Sequence, residues 1–141
     1  MENNYNLNRF IEAQNRDYDT ALAEIRAGKK ASHWMWYIFP QIAGLGMSYT
    51  AQLYAIKDIE EARQYIAHPV LGARLIEISN ALLTLDCSDA TAVMGYPDDL
   101  KLRSCMTLFA QVSDDPVFDA VLSKFYDGTA DARTLELLSL T

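Results

Sequence analysis

The sequence predicts a mainly α fold, a compact bundle of about seven to nine short helices around a central aromatic helix, with residues 1–141 forming a single helical domain. Three observations predict it. Apolar residues recur at i, i+3 and i+4 along most of the chain, and no stretch alternates with period two. Ser, Asp, Pro and Gly punctuate these stripes where helices start and stop. Residues 32–41 hold both tryptophans and are apolar on almost every side, as a buried central helix must be.

Taken in order, a polar, Asn-rich lead comes first. Leu7, Phe10 and Ile11 then share one face of a short helix within residues 1–16. Asp17 caps a second helix with the stripe Tyr18, Ala21, Leu22 and Ile25, and Gly28 closes it. Lys29 and Lys30 place positive charge past that helix end, where the dipole favours it. Ser32 caps the aromatic helix and Pro40 stops it. Residues 44–46, Gly-Leu-Gly, read as a loop. Residues 48–56 fit either a short helix or a short extended piece, with the helix preferred. Asp58 caps the next, with Ile59, Ala62 and Ile66 inward. His68-Pro69 breaks the chain, and Pro69 opens a helix carrying Leu71, Leu75, Ile78 and Leu82. Ser88 or Asp89 caps a short helix ending at Gly95. Pro97-Asp98-Asp99 and Asp115-Pro116 start two more, with arcs Leu102, Cys105, Met106, Leu108, Phe109, Val112 and Phe118, Val121, Leu122, Phe125. Asp131 caps the last, which carries Leu135 and Leu138.

Composition narrows the function classes. The net charge of −7 argues against nucleic acid, whose binders need a basic footprint. Cys87 and Cys105 lie far apart, and with two histidines no zinc pattern arises, so no metal or cofactor is implied. No signal peptide and no membrane span are indicated, and a reduced, cytoplasmic protein is expected. The oligomeric state is not indicated.

Two residues stand out as candidate chemistry. Lys101 falls inside the apolar arc of its own helix. An inward lysine snorkels along the core edge, pairs with a carboxylate or faces a pocket, and Asp98 one turn earlier is placed to pair with it. Ser104 follows Lys101 at i+3. His33 shares a helical face with Trp36 and Tyr37, and Gln41 follows. Imidazole, hydroxyl and amide groups beside the bare backbone of Gly44 and Gly46 make a pocket for a polar ligand. The plainer reading of His33 is a satisfied core or helix-start residue. The tryptophans serve as stacking surface or as core mass. Arg74 and Arg103 sit at polar helix edges, as solvated charges or anion ligands. Cys105 reads as a buried, inert thiol. The acidic pairs at helix starts answer the helix dipole.

Five stretches carry a family resemblance. They are His33-Trp34-Met35-Trp36-Tyr37-Ile38-Phe39-Pro40-Gln41, Gly44-Leu45-Gly46, Tyr54-Ala55-Ile56, His68-Pro69-Val70-Leu71-Gly72-Ala73-Arg74-Leu75 and Lys101-Leu102-Arg103-Ser104-Cys105-Met106-Thr107-Leu108-Phe109. In order and spacing the chain resembles the uncharacterised bacterial domain-of-unknown-function family numbered eighteen-ten. Its members are often mislabelled calpastatin, an inhibitor of a calcium protease. Such inhibitors are long and disordered, whereas this chain is short and core-rich. The resemblance implies a compact, mainly helical domain and no established activity.

The residues together point to a small polar or anionic ligand, nucleotide-derived molecules included. Its pocket is lined by His33, Trp36, Tyr37, Gln41, Gly44, Gly46, Lys101 and Ser104, with Arg74 and Arg103 outside. His33 and Lys101 are the candidate catalytic pair, and hydrolytic cleavage is the chemistry they suit. The alternative is a non-enzymatic protein-interaction module whose aromatic segment is purely core.

Overall fold

A computed structural model describes residues 5–139; the first four residues of the predicted polar lead lie outside them. Helix α1 (Asn8–Arg26) is continuous where two helices were predicted, so Asp17 is a mid-helix residue and not a cap. The buried stripe runs through Phe10, Ala13, Gln14, Tyr18, Ala21, Leu22 and Ile25. Gln14 conceals that stripe in the sequence. It is buried because its amide donates to Tyr37 O at 2.8 Å and to Tyr65 Oη at 2.9 Å.

The aromatic segment is the main departure. Only α2 (Met35–Ile38) is helical. Ser32 does not cap it. Its backbone N–H and hydroxyl both bond Glu24 of α1, and the Trp34 indole N–H donates to Glu24 Oε1 at 2.9 Å. The backbone before α2 is therefore bound to α1 and cannot wind into a first turn. Pro40 ends the segment, and Ile42 forms an isolated bridge before the chain turns at 43–44. Ala43 N–H donates to Ile56 O and Ile56 N–H to Gln41 O, both at 2.8 Å, a single parallel bridge around Ile42 and Ile56.

Helices α3 (Tyr49–Leu53), α4 (Ile59–Ala67), α6 (Ala90–Met94) and α9 (Ala132–Leu137) start at Ser48, Asp58, Asp89 and Asp131. Each of these side chains accepts from N–H groups of its helix. Helix α5 (Leu71–Leu83) is capped by His68, whose Nδ1 accepts from Val70 N–H at 3.1 Å and Leu71 N–H at 3.3 Å. Helices α7 (Asp98–Ala110) and α8 (Val117–Tyr126) follow Pro97 and Pro116.

Helix α7 holds the central place expected of the aromatic segment. From Leu102 to Phe109 only Arg103 escapes burial. It packs on α8, α6, α9 and α4, while α5 joins α1, α4 and α8. Rings form a spine through four helices: Phe10 to Tyr65 at 5.1 Å, Tyr65 to Phe109 at 5.2 Å, and Phe109 to Phe118 at 6.0 Å. Trp34, Met35 and Phe39 complete this core from one side.

Candidate functional site

Two clefts open beside the start of α7. The larger holds about 400 Å³. Its α7 wall is Leu100, Lys101 and Ser104; the facing wall is Gln41, Ile42, Leu45, Gly46, Met47 and α3 with Tyr54, and Trp36 of α2 closes one end. The smaller, about 350 Å³, is lined by Lys30, Ser32, His33, Met35, Tyr96 and Asp98. Trp36 and Pro97 line both and stand between them.

The loop wall has a local cause. A Cβ on Gly46 would sit 2.6 Å from the Ala51 Cβ, so glycine lets the loop close on α3. The Ile42–Ile56 bridge anchors its start. Arg9 of α1 holds the far end. Its guanidinium donates to Leu53 O and Ala55 O at 2.8 Å and pairs with the fully buried Glu61 at 2.9 Å.

The charge balance at α7 is uneven. Lys30 Nζ lies 2.9 Å from Asp98 Oδ2, donates to Ser32 O at 2.6 Å and sits 4.8 Å from the Trp34 ring centroid. Lys101 Nζ lies 3.5 Å from Asp98 Oδ1 and 6.0 Å from the Trp36 ring centroid. One carboxylate thus serves two ammonium groups. Lys30 is the enclosed one, with 7% of its side chain exposed against 33% for Lys101. Among the described residues, Lys101 is the only formally charged one that lines the larger cleft. The Ser104 hydroxyl has one proton, directed at Asp131 Oδ2 (2.9 Å) or Leu100 O (3.2 Å), so towards the cleft it can only accept. Among the described residues, neither the Gln41 amide nor the Trp36 indole N–H has a hydrogen-bond partner.

The structure brings together Trp36, Gln41, Gly46, Lys101 and Ser104 from the predicted set. His33 is exposed and lines the smaller cleft, so it does not share a pocket with Lys101. Tyr37 turns inward. Its hydroxyl bonds Asp17 of α1, and burial, followed by that bond, raises its pKa. Gly44, at φ +105°, faces Leu137 of α9 instead of a cleft. Arg74, on α5, reaches to α1, bonded to Gln14 and Asn15 and 5.3 Å from the Tyr18 ring centroid. Arg103 points to Asp131 (4.0 Å) and the Tyr126 ring (5.9 Å to the centroid). His33 and Tyr37 leave the set because helical spacing located their shared face on an aromatic helix of which only Met35–Ile38 forms, whereas Gly44, Arg74 and Arg103 leave it because they face Leu137, Gln14 and Asn15, and Asp131. The sequence reading missed Met47, Tyr54 and Leu100 as cleft walls and Lys30 as the main partner of Asp98. One signal was present, since Met47 and Leu100 fall outside every predicted buried stripe and both are exposed. Among the described residues no group of three or more His, Cys, Asp or Glu is placed to hold a metal, and no helix is long and apolar enough to cross a membrane.

A family described as "Protein of unknown function (DUF1810)" matches residues 4–138. The chain belongs to this family. It is similar to a solved structure, the crystal structure of the conserved hypothetical protein Rv1873 from Mycobacterium tuberculosis. The two are 45% identical, with a TM-score of 0.92, over 96% of this chain and 97% of that one. No curated protein matches the chain. For this DUF1810 member the functional argument therefore rests on the cleft.

Proposed function

We propose that this DUF1810 chain binds a small anionic molecule in the cleft between α7 and the 41–47 loop, beside Lys101. One observation carries the reading: on a protein of net charge −7, the sole formal charge among the described residues lining a cleft of about 400 Å³ is a cation. Lys101 also shares its carboxylate with a better-seated lysine, which leaves it free to exchange that contact for a ligand. Binding is favoured over turnover. Among the described residues, none that lines the larger cleft brings an imidazole, carboxylate or thiol to move a proton. Hydrolysis with His33 as the acid or base would need a substrate that passes Trp36 and Pro97 into the smaller cleft. Thermal shift against a panel of anions tests the reading. An anion should raise the melting temperature of the wild type and of His33→Ala but not of Lys101→Met. If no anion shifts the wild type, the site is not an anion site.

A second reading, a protein-interaction module, is favoured by the exposed Met47, Tyr49, Leu53, Tyr96 and Leu100 around the clefts. A partner that binds the wild type and is lost with Tyr49→Asp, with no anion effect, supports it. The unpaired Cys87 and Cys105 thiols support a reduced, cytoplasmic setting in either case.

A further inference from the structure

The walls of the larger cleft narrow the chemistry of its occupant. Lys101 can balance one negative charge, and among the described residues no second cation lines the cleft. Lys30 lines the other cleft, enclosed by Asp98, Ser32 O and Trp34, and Arg103 is turned to Asp131. At the N-terminus of α7 the N–H groups of Asp99, Leu100 and Lys101 are already engaged. Asp99 N–H donates to Gly95 O, Leu100 N–H to Pro97 O and to the Asp99 carboxylate, and Lys101 N–H to Pro97 O. A second or third phosphate charge in this cleft would lose water and meet only neutral donors, the Gln41 amide and the Trp36 indole N–H, with no cation among the described lining residues to balance it. The rest of the lining is apolar and adaptable: Trp36, Met47, Leu45 and Leu100. Trp36 is partly exposed here and lies beside Lys101, so a group bonded to that ammonium carries its body along the indole face. The volume is near the lower end for ligand pockets, which suits a compact molecule. The unpaired Gln41 amide offers a donor and an acceptor for one polar substituent.

We infer that the cleft takes an amphipathic monoanion, a compact aromatic or branched aliphatic carboxylic acid, with its carboxylate on Lys101 and its body against Trp36 and Met47. The inference rests on the anion-binding reading and names the class of anion. Tryptophan fluorescence can follow binding, since Trp34 is buried beneath Glu24 and Lys30 while Trp36 faces the cleft. The probes are phenylacetate, its neutral isostere phenylacetamide, inorganic phosphate and adenosine 5′-monophosphate, each titrated into the full chain, with Trp36→Phe as the signal control. Phenylacetate should bind at least about tenfold more tightly than each of the others, a difference of about 1.4 kcal/mol. Lys101→Met should abolish the preference for phenylacetate over its amide, and Lys101→Gln is the second variant if the first does not fold. Tighter binding of phosphate or the nucleotide overturns the monoanion class and leaves the anion reading standing. Equal binding of acid and amide, or no binding by any probe, overturns both.

Discussion

Trp34 and Trp36 stand two positions apart and serve different ends. Trp34 is 1% exposed, bonded through its indole N–H to Glu24 and packed 6.1 Å from Phe39. Trp36 is a cleft wall. Trp34→Ala should cost about 3–5 kcal/mol in urea denaturation, and Trp36→Ala about 1 kcal/mol or less. Similar losses for the two would show that Trp36 is core after all. The lysines of Asp98 divide the same way. Lys30→Met removes the enclosed partner and should cost about 3–5 kcal/mol. Lys101→Met leaves Asp98 paired to Lys30 and should cost about 1 kcal/mol or less. A large loss with Lys101→Met would make this lysine structural and remove the basis for a ligand there. The sequence identified Lys101 and Asp98 as neighbours, because i,i+3 spacing is local. It could not reveal Lys30, which arrives from 68 positions away by way of α1 and a non-helical segment.

At the level of elements, local signals worked wherever the chain's own chemistry decides the outcome. Asp58, Asp89 and Asp131 cap the predicted helices, and the His68-Pro69 break is real. The turn between α4 and α5 also depends on Gly72, whose need the sequence does not announce. A Cβ there would lie 2.0 Å from Ile66 O, a backbone atom that cannot step aside. Gly72→Ala should therefore destabilise by about 1–3 kcal/mol or more, despite the better helix propensity of alanine. If thermal unfolding shows it neutral or stabilising, the close approach of α5 to α4 is wrong. The aromatic helix failed for the opposite reason. Glu24, one turn before the end of α1, captures Ser32 and Trp34, and that tertiary contact outweighs the helical preference of residues 32–34.

The same Glu24 gives the whole molecule a pH signature. Partial burial pushes its carboxyl up, but hydrogen bonds from Ser32, Ala31 and Trp34 outweigh this and hold the pKa at about 2, below its ordinary 4.5. Because the folded-state value is the lower one, this stabilisation is fully present above about pH 4.5 and fades as pH falls to about 2. Melting temperature measured from pH 6 to 2 should fall across that window. Glu24→Gln should be less stable at pH 6 and flatter below pH 4.5; a slope equal to that of the wild type would show that other carboxylates govern acid unfolding. Far-UV circular dichroism should be mainly helical, and unfolding should not respond to reductant, since Cys87 and Cys105 are unpaired.

The sequence by itself determined the helical class, most helix boundaries and the outline of the core. Those follow from periodicity and capping, which act within a few residues of the chain. It also placed Lys101, Ser104, Trp36, Gln41 and Gly46 among the residues that meet in one cleft. Only the tertiary structure decided that α7 is the centre, that residues 32–34 are not helical, and that Trp36 and Pro97 separate His33 from Lys101. Each of these turns on a pairing between distant groups: Glu24 with Trp34, Lys30 with Asp98, Ile42 with Ile56. Such pairings are chosen by which buried polar groups find partners once the helices pack, and one-dimensional spacing holds no record of that choice.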